Sequence, residues 1–154
     1  MKTLDDFAQK NIWISNSINS TDLIARFGQS KKVCEYLLEQ IKSPVNFRAQ
    51  YNALSVLSEF TELYGMDEII KNTLFDALKS DNVRYNEKQK ILDSLASLNL
   101  QTDEITEYIV KNYDNNKEPY YRLSILKYLH ESNLYERHID IFVEEYELVE
   151  SRFN

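Results

Sequence analysis

Apolar residues recur in this chain every four positions, and the pattern itself recurs four times. Val33, Leu37 and Ile41 stand five, nine and thirteen residues after Gly28. Ile70, Leu74 and Leu78 hold the same offsets after Gly65. Leu100, preceded by Asn99, is followed at those offsets by Ile105, Ile109 and Tyr113. Leu134, preceded by Asn133, is followed by Ile139, Val143 and Glu147, with apolar Tyr146 one residue earlier. Spacing of three to four residues marks one face of a helix. Markers separated by 37, 35 and 34 residues predict stacked helical hairpins.

A second helix fits between successive markers. Ser43 before Pro44 reads as a helix start, because the hydroxyl can cap and proline suits the first turn. Ala53, Leu54, Val56, Leu57, Phe60 and Leu63 continue one face, and Gly65 is expected to end it. Ile91, Leu92, Leu95 and Leu98 mark the next first helix, and Thr102 is placed to cap its partner. Pro119 opens another, through Leu123, Ile125, Leu126 and Leu129. The last helix is expected from about Tyr135 through Ile139, Phe142, Val143, Tyr146 and Val149.

These elements predict an all-α fold, a short right-handed α-solenoid of about four stacked antiparallel helical hairpins, in a single domain over 1–154. Residues 20–154 carry the repeats, with a short first helix near 21–27. Residues 1–19 read as an irregular N-terminal cap or a truncated unit, since end units of repeat arrays are often atypical. Two glycines and two prolines in the whole chain give little support to tight β-hairpins, and the absence of a Gly-rich loop excludes P-loop or dinucleotide-fingerprint binding.

The first helices, Ala53-Leu54-Ser55-Val56-Leu57, Ile91-Leu92-Asp93-Ser94-Leu95 and Ile125-Leu126-Lys127-Tyr128-Leu129, resemble HEAT-type repeats over about residues 20–150. Asp81, Val83 and Arg84 resemble that family's turn aspartate and Val-Arg pair once; Gln50 and Pro119 stand near the arginine position in neighbouring units. The resemblance implies a protein-binding module.

Charge sharpens that expectation. The formal net charge is −7, with 8 Lys/Arg against 10 Asp/Glu in residues 1–77 and 10 against 15 in residues 78–154. Phosphate backbones attract positive surfaces, which disfavours nucleic acid; a basic protein is the complementary partner. Seven of the eleven tyrosines follow residue 104. Tyr113, Tyr128 and Tyr146 fall near apolar repeat positions and read as packing. Tyr108, Tyr120, Tyr121 and Tyr135 have less obvious core duty, and tyrosine is favoured at binding hot spots. The expected partner-binding set is therefore Glu104, Glu107, Tyr108, Tyr135, Asp140 and Glu144.

No catalytic, metal or cofactor site is expected, and no small-molecule substrate is inferred. His130 and His138 lie eight apart, not at the i+3 or i+4 spacing of a one-helix metal site. Cys34 has Lys31 and Lys32 nearby but no histidine in its repeat to act as a base, so it reads as a partly buried helix cysteine. The adjacent carboxylates Asp5/Asp6, Asp67/Glu68, Asp103/Glu104 and Glu144/Glu145 read as first-turn or solvated positions. Two basic clusters, Lys31/Lys32/Lys42 and Arg84/Lys88/Lys90, read as solvated.

One cysteine and no long apolar run point to a cytoplasmic protein without a membrane span. A bacterial immunity protein that masks a basic toxin domain is an alternative reading. A DNA-acting protein of the HEAT-like glycosylase type is a second alternative.

Overall fold

The computed structural model describes residues 29–114 and 118–153, and all its regular structure is helical. The order is α1 (Lys31–Lys42), α2 (Phe47–Leu57), α3 (Asp67–Lys79), α4 (Tyr85–Ser97), α5 (Asp103–Lys111), α6 (Pro119–Glu131), a 3-10 turn (Tyr135–His138) and α7 (Ile139–Phe153). The expected segment 1–19 and the first helix near 21–27 lie outside the described residues.

Polar side chains set most of the helix starts. Ser30 Oγ accepts from Val33 N at 3.1 Å, Asn46 Oδ1 from Ala49 N at 2.7 Å, Thr102 Oγ1 from Ile105 N at 3.2 Å and Glu118 Oε2 from Tyr121 N at 2.8 Å. Each satisfies a backbone donor that has no partner within the helix. Asn46, not Ser43-Pro44, begins α2; Ser43 instead ends α1, where its N–H donates to Glu39 O.

Asn99 and Asn133 explain two of the repeat markers. Both sit in the left-handed region, at φ 56° and 57°. Leu100 N donates to Leu95 O at 2.9 Å, and Asn99 N to Ala96 O at 3.1 Å. Leu134 N donates to Leu129 O at 2.8 Å, and Asn133 N to His130 O at 3.1 Å. This is the Schellman arrangement, repeated one period apart, and asparagine tolerates it better than most side chains. The Gly65 marker works differently. Helix α2 already ends at Leu57, so Phe60 and Leu63 lie in the connection 58–66. Tyr64 and Gly65, at φ 55° and 73°, form a left-handed pair that turns the chain into α3.

One continuous apolar core runs through the described helices. Helix α2 packs against α1 and α4; α4 packs against α3 and α6; α1 also meets α3. Helix α5 joins α3 through the edge-to-face pair Phe75–Tyr108, with centroids 5.5 Å apart. It joins α6 through Thr106 Oγ1 and Tyr128 Oη, 2.9 Å apart and buried.

The repeat offsets are buried in the first three units, Val33, Leu37, Ile41; Ile70, Leu74, Leu78; Ile105, Ile109, except that Tyr113 is half-buried. They fail in the fourth. Ile139 and Val143 are 54% and 48% exposed, whereas Ile141 and Glu145 point inward. The 3-10 turn before α7, with three residues per turn instead of 3.6, changes the helical phase.

Candidate functional site

Each described first helix buries one polar side chain in its first turn. Gln50 on α2 donates to Ile41 O at 2.9 Å. Glu87 on α4 accepts from the Nε (3.1 Å) and Nη2 atoms of Arg84. Arg122 on α6 bonds Glu145 of α7, with Nε to Oε2 at 3.1 Å and Nη2 to Oε1 at 3.2 Å. Tyr113 Oη donates to the same Glu145 carboxylate at 2.6 Å. Burial, and then this bond to a carboxylate, push the Tyr113 hydroxyl pKa well above the ordinary tyrosine value. The Glu144/Glu145 pair is therefore not uniformly solvated: Glu144 faces water and Glu145 is buried. The repeat offsets put Glu147 at the end of the apolar spacing, and the buried glutamate is instead Glu145, four residues after buried Ile141.

The second helices become more acidic along the chain. Their formal charges are +1 for α1, −1 for α3, −2 for α5 and −4 for α7. Glu104, Glu107, Asp140 and Glu144 are all exposed, and none forms an ion pair among the described residues. Between α5 and the 3-10 turn, Arg137 and Asp103 approach to 4.0 Å, but both are exposed and such a pair contributes little.

The tyrosines divide differently from the pattern expected. Tyr121 is buried against Tyr85, with centroids 5.0 Å apart, and burial pushes its pKa up to about 12. Tyr108 is half-buried against Phe75, so most of its ring is spent on packing. Tyr128 is buried as expected, and Tyr113 is half-buried. Tyr146 is 63% exposed on α7, where Tyr146 Oη donates to Glu150 at 2.9 Å. Tyr135 is exposed, with its ring 5.8 Å from His130. Tyr120 is exposed as well. On α7, exposed Ile139, Val143 and Tyr146 thus alternate with exposed Asp140, Glu144 and Glu147.

A second surface lies between α2 and α4, a groove of about 910 Å³ lined by Phe47, Arg48, Tyr51, Arg84, Gln89 and Lys90, among others. The Arg84 guanidinium lies 4.1 Å from the Phe47 ring centroid, and Lys90 Nζ lies 5.5 Å from that of Tyr51. The expectation that Arg84, Lys88 and Lys90 form one solvated cluster holds poorly. Arg84 and Lys90 converge with Arg48 on the groove, whereas Lys88 sits by Tyr85, 6.0 Å from its ring.

Cys34 is fully buried, and burial, with Glu35 adding repulsion, pushes its pKa up to about 11. Its thiol is the opposite of activated, despite Lys31 and Lys32. Among the described residues, no group of three or more His, Cys, Asp or Glu side chains could hold a metal ion. No described helix is long and apolar enough to cross a membrane. Comparison of the chain with protein-family models, with curated proteins and with solved structures finds no match.

Proposed function

We propose that the chain is a non-catalytic protein-binding module, a short solenoid of helical hairpins whose acidic second helices dock a basic partner protein. One observation carries the reading. Helix α7 exposes Ile139, Val143 and Tyr146 to solvent and lines one side of them with Asp140, Glu144 and Glu147. Contiguous exposed apolar groups on a folded domain mark interaction surfaces, and their acidic rim selects a partner of opposite sign. Glu104 and Glu107 on α5 extend the acidic field. Tyr135 and Tyr146 are the exposed aromatic anchors, a part that half-buried Tyr108 fills less well.

The test is capture of a partner from native extract, followed by binding kinetics with that partner purified. Reversal of Glu107 and Glu144 to Lys slows association several-fold at low salt and much less at high salt, because rim charges act on encounter. Tyr146→Ala instead speeds dissociation, by about tenfold if the ring anchors the contact with about 1.4 kcal/mol. A captured partner indifferent to both changes, or itself acidic, defeats the proposal.

A further inference from the structure

The groove between α2 and α4 gathers positive charge that its own carboxylates do not cancel. Two acids lie there, and both are engaged. Glu87 is held by Arg84, and Asp93 lies 3.5 Å from Lys127. Arg48 and Lys90 form no ion pair among the described residues. Arg84 retains a free edge as well. Its Nε and Nη2 donate to Glu87, which leaves the Nη1 hydrogens unused, and its side chain is half exposed.

The arginine is also pre-set. A fully buried carboxylate grips one edge of the guanidinium, and the Phe47 ring supports its face. Such a group loses little rotamer freedom when it receives an anion, and a planar guanidinium edge matches a carboxylate. Asn86 and Gln89 add amides that make no hydrogen bond among the described residues. An amide offers donor and acceptor together, as a peptide backbone requires.

We propose that this groove binds an extended acidic segment of a partner protein. Its carboxylates seat on Arg84, Lys90 and Arg48, its backbone on Asn86 and Gln89, and its apolar groups on the Phe47 and Tyr51 rings. A nucleic acid strand fits less well. Its dense phosphates would meet a chain of net charge −7 with three acidic second helices. A peptide carrying a few carboxylates meets far less repulsion. The site is separate from the acidic surface of α5 and α7 and does not depend on it.

Titration of hexaglutamate into the isotope-labelled full chain, followed by backbone amide chemical shifts, tests the proposal. The expected shifts cluster at residues 47–52 and 84–93 and fade at high salt. Hexaglutamine leaves those signals in place. Reversal of Arg48 and Lys90 to Glu weakens hexaglutamate by about tenfold or more, on the scale of a lost charged contact. Lys90→Gln, a gentler change at a partly exposed position, weakens it several-fold. The Glu107→Lys, Glu144→Lys variant binds undiminished. The proposal is overturned if the shifts fall elsewhere or hexaglutamine binds equally. It is overturned also if the Lys90 variant keeps its affinity, or if a single-stranded oligonucleotide occupies the groove more tightly than the peptide.

Discussion

Helices α4 and α6 bury charged side chains of opposite sign, Glu87 and Arg122, at the third and fourth positions of their first turns, and the molecule neutralises them in opposite ways. Glu87 finds Arg84 three residues earlier, at the start of its own helix, and Arg84 stays half exposed. Arg122 finds Glu145 on another helix, 23 residues away in sequence, and both side chains are at least nine-tenths buried. The first pair leaves a cation facing outward, fixed in place and able to meet a ligand. The second locks α7 to α6 and leaves nothing for a ligand. In this helical fold one buried charge thus positions an outward-facing partner and the other ties two helices together, and the exposure of the partner distinguishes the two.

The largest expected effect breaks the tie. Glu145→Ala leaves the Arg122 guanidinium buried without its carboxylate and should cost about 3–5 kcal/mol in denaturant unfolding. Replacing Arg122 by Met, Glu145 by Leu and Tyr113 by Phe together removes both charges and the hydroxyl bonded to them. That triple variant should recover most of the loss, because desolvating the pair costs nearly as much as the pair returns. A single-variant loss below about 1 kcal/mol would mean that water reaches the site.

The next effect tests how far the sequence had already disclosed the packing. The offsets of three units and the cap at Thr102 follow from apolar spacing and from hydroxyl chemistry, both local properties, whereas Ser43, with the same chemistry, ends α1. The α7 register was not legible. A 3-10 turn is not encoded by hydrophobic spacing, and it turned Ile139 and Val143 outward. The groove was not legible either, because Arg48 and Arg84 are 36 residues apart and only the packing of α2 against α4 unites them. Leu92 and Leu126 stand at equivalent repeat positions, yet Leu92 is fully buried and Leu126 partly so. Leu92→Ala should cost about 2–5 kcal/mol and Leu126→Ala clearly less. Equal losses in thermal or denaturant melts would restore the strict repeat register.

Alkaline pH probes the same contrast without mutation. The Cys34 pKa is raised from 9.0 to about 11 and that of Tyr121 from 10.0 to about 12, in both cases mainly by burial. Tyr113, bonded to Glu145, is raised in the same direction. A group whose folded pKa exceeds its unfolded value holds its proton longer in the folded chain. Its contribution is complete below the unfolded value and is lost as pH rises through the folded one. Stability should thus be flat below about pH 9 with respect to these groups and fall from there to about pH 12, by roughly 2–3 kcal/mol for each of Cys34 and Tyr121. Tyr121→Phe should flatten the upper part of that fall. A pH profile identical to that of the unchanged protein would place the Tyr121 hydroxyl in contact with water.

The smallest effects belong to that pair, and they should be lopsided. Arg84→Ala takes away the exposed partner but strands a carboxylate that is fully buried, a loss of about 1–3 kcal/mol. Glu87→Gln removes the buried charge and leaves Arg84 free to hydrate, while the amide oxygen can still accept from the guanidinium. Its loss should stay under about 1 kcal/mol. The more exposed residue is then the more costly one to remove, contrary to a rule based on burial alone. At the α6–α7 pair no such asymmetry arises, because both members are buried and deleting either breaks the same buried ion pair. Chemical denaturation of Arg84→Ala, Glu87→Gln, Arg122→Ala and Glu145→Ala side by side measures both contrasts. If Glu87→Gln costs more than Arg84→Ala, Glu87 reaches water once Arg84 is gone. Arg84 would then be a surface cation without a fixed edge, and the groove would lose its pre-set anion site.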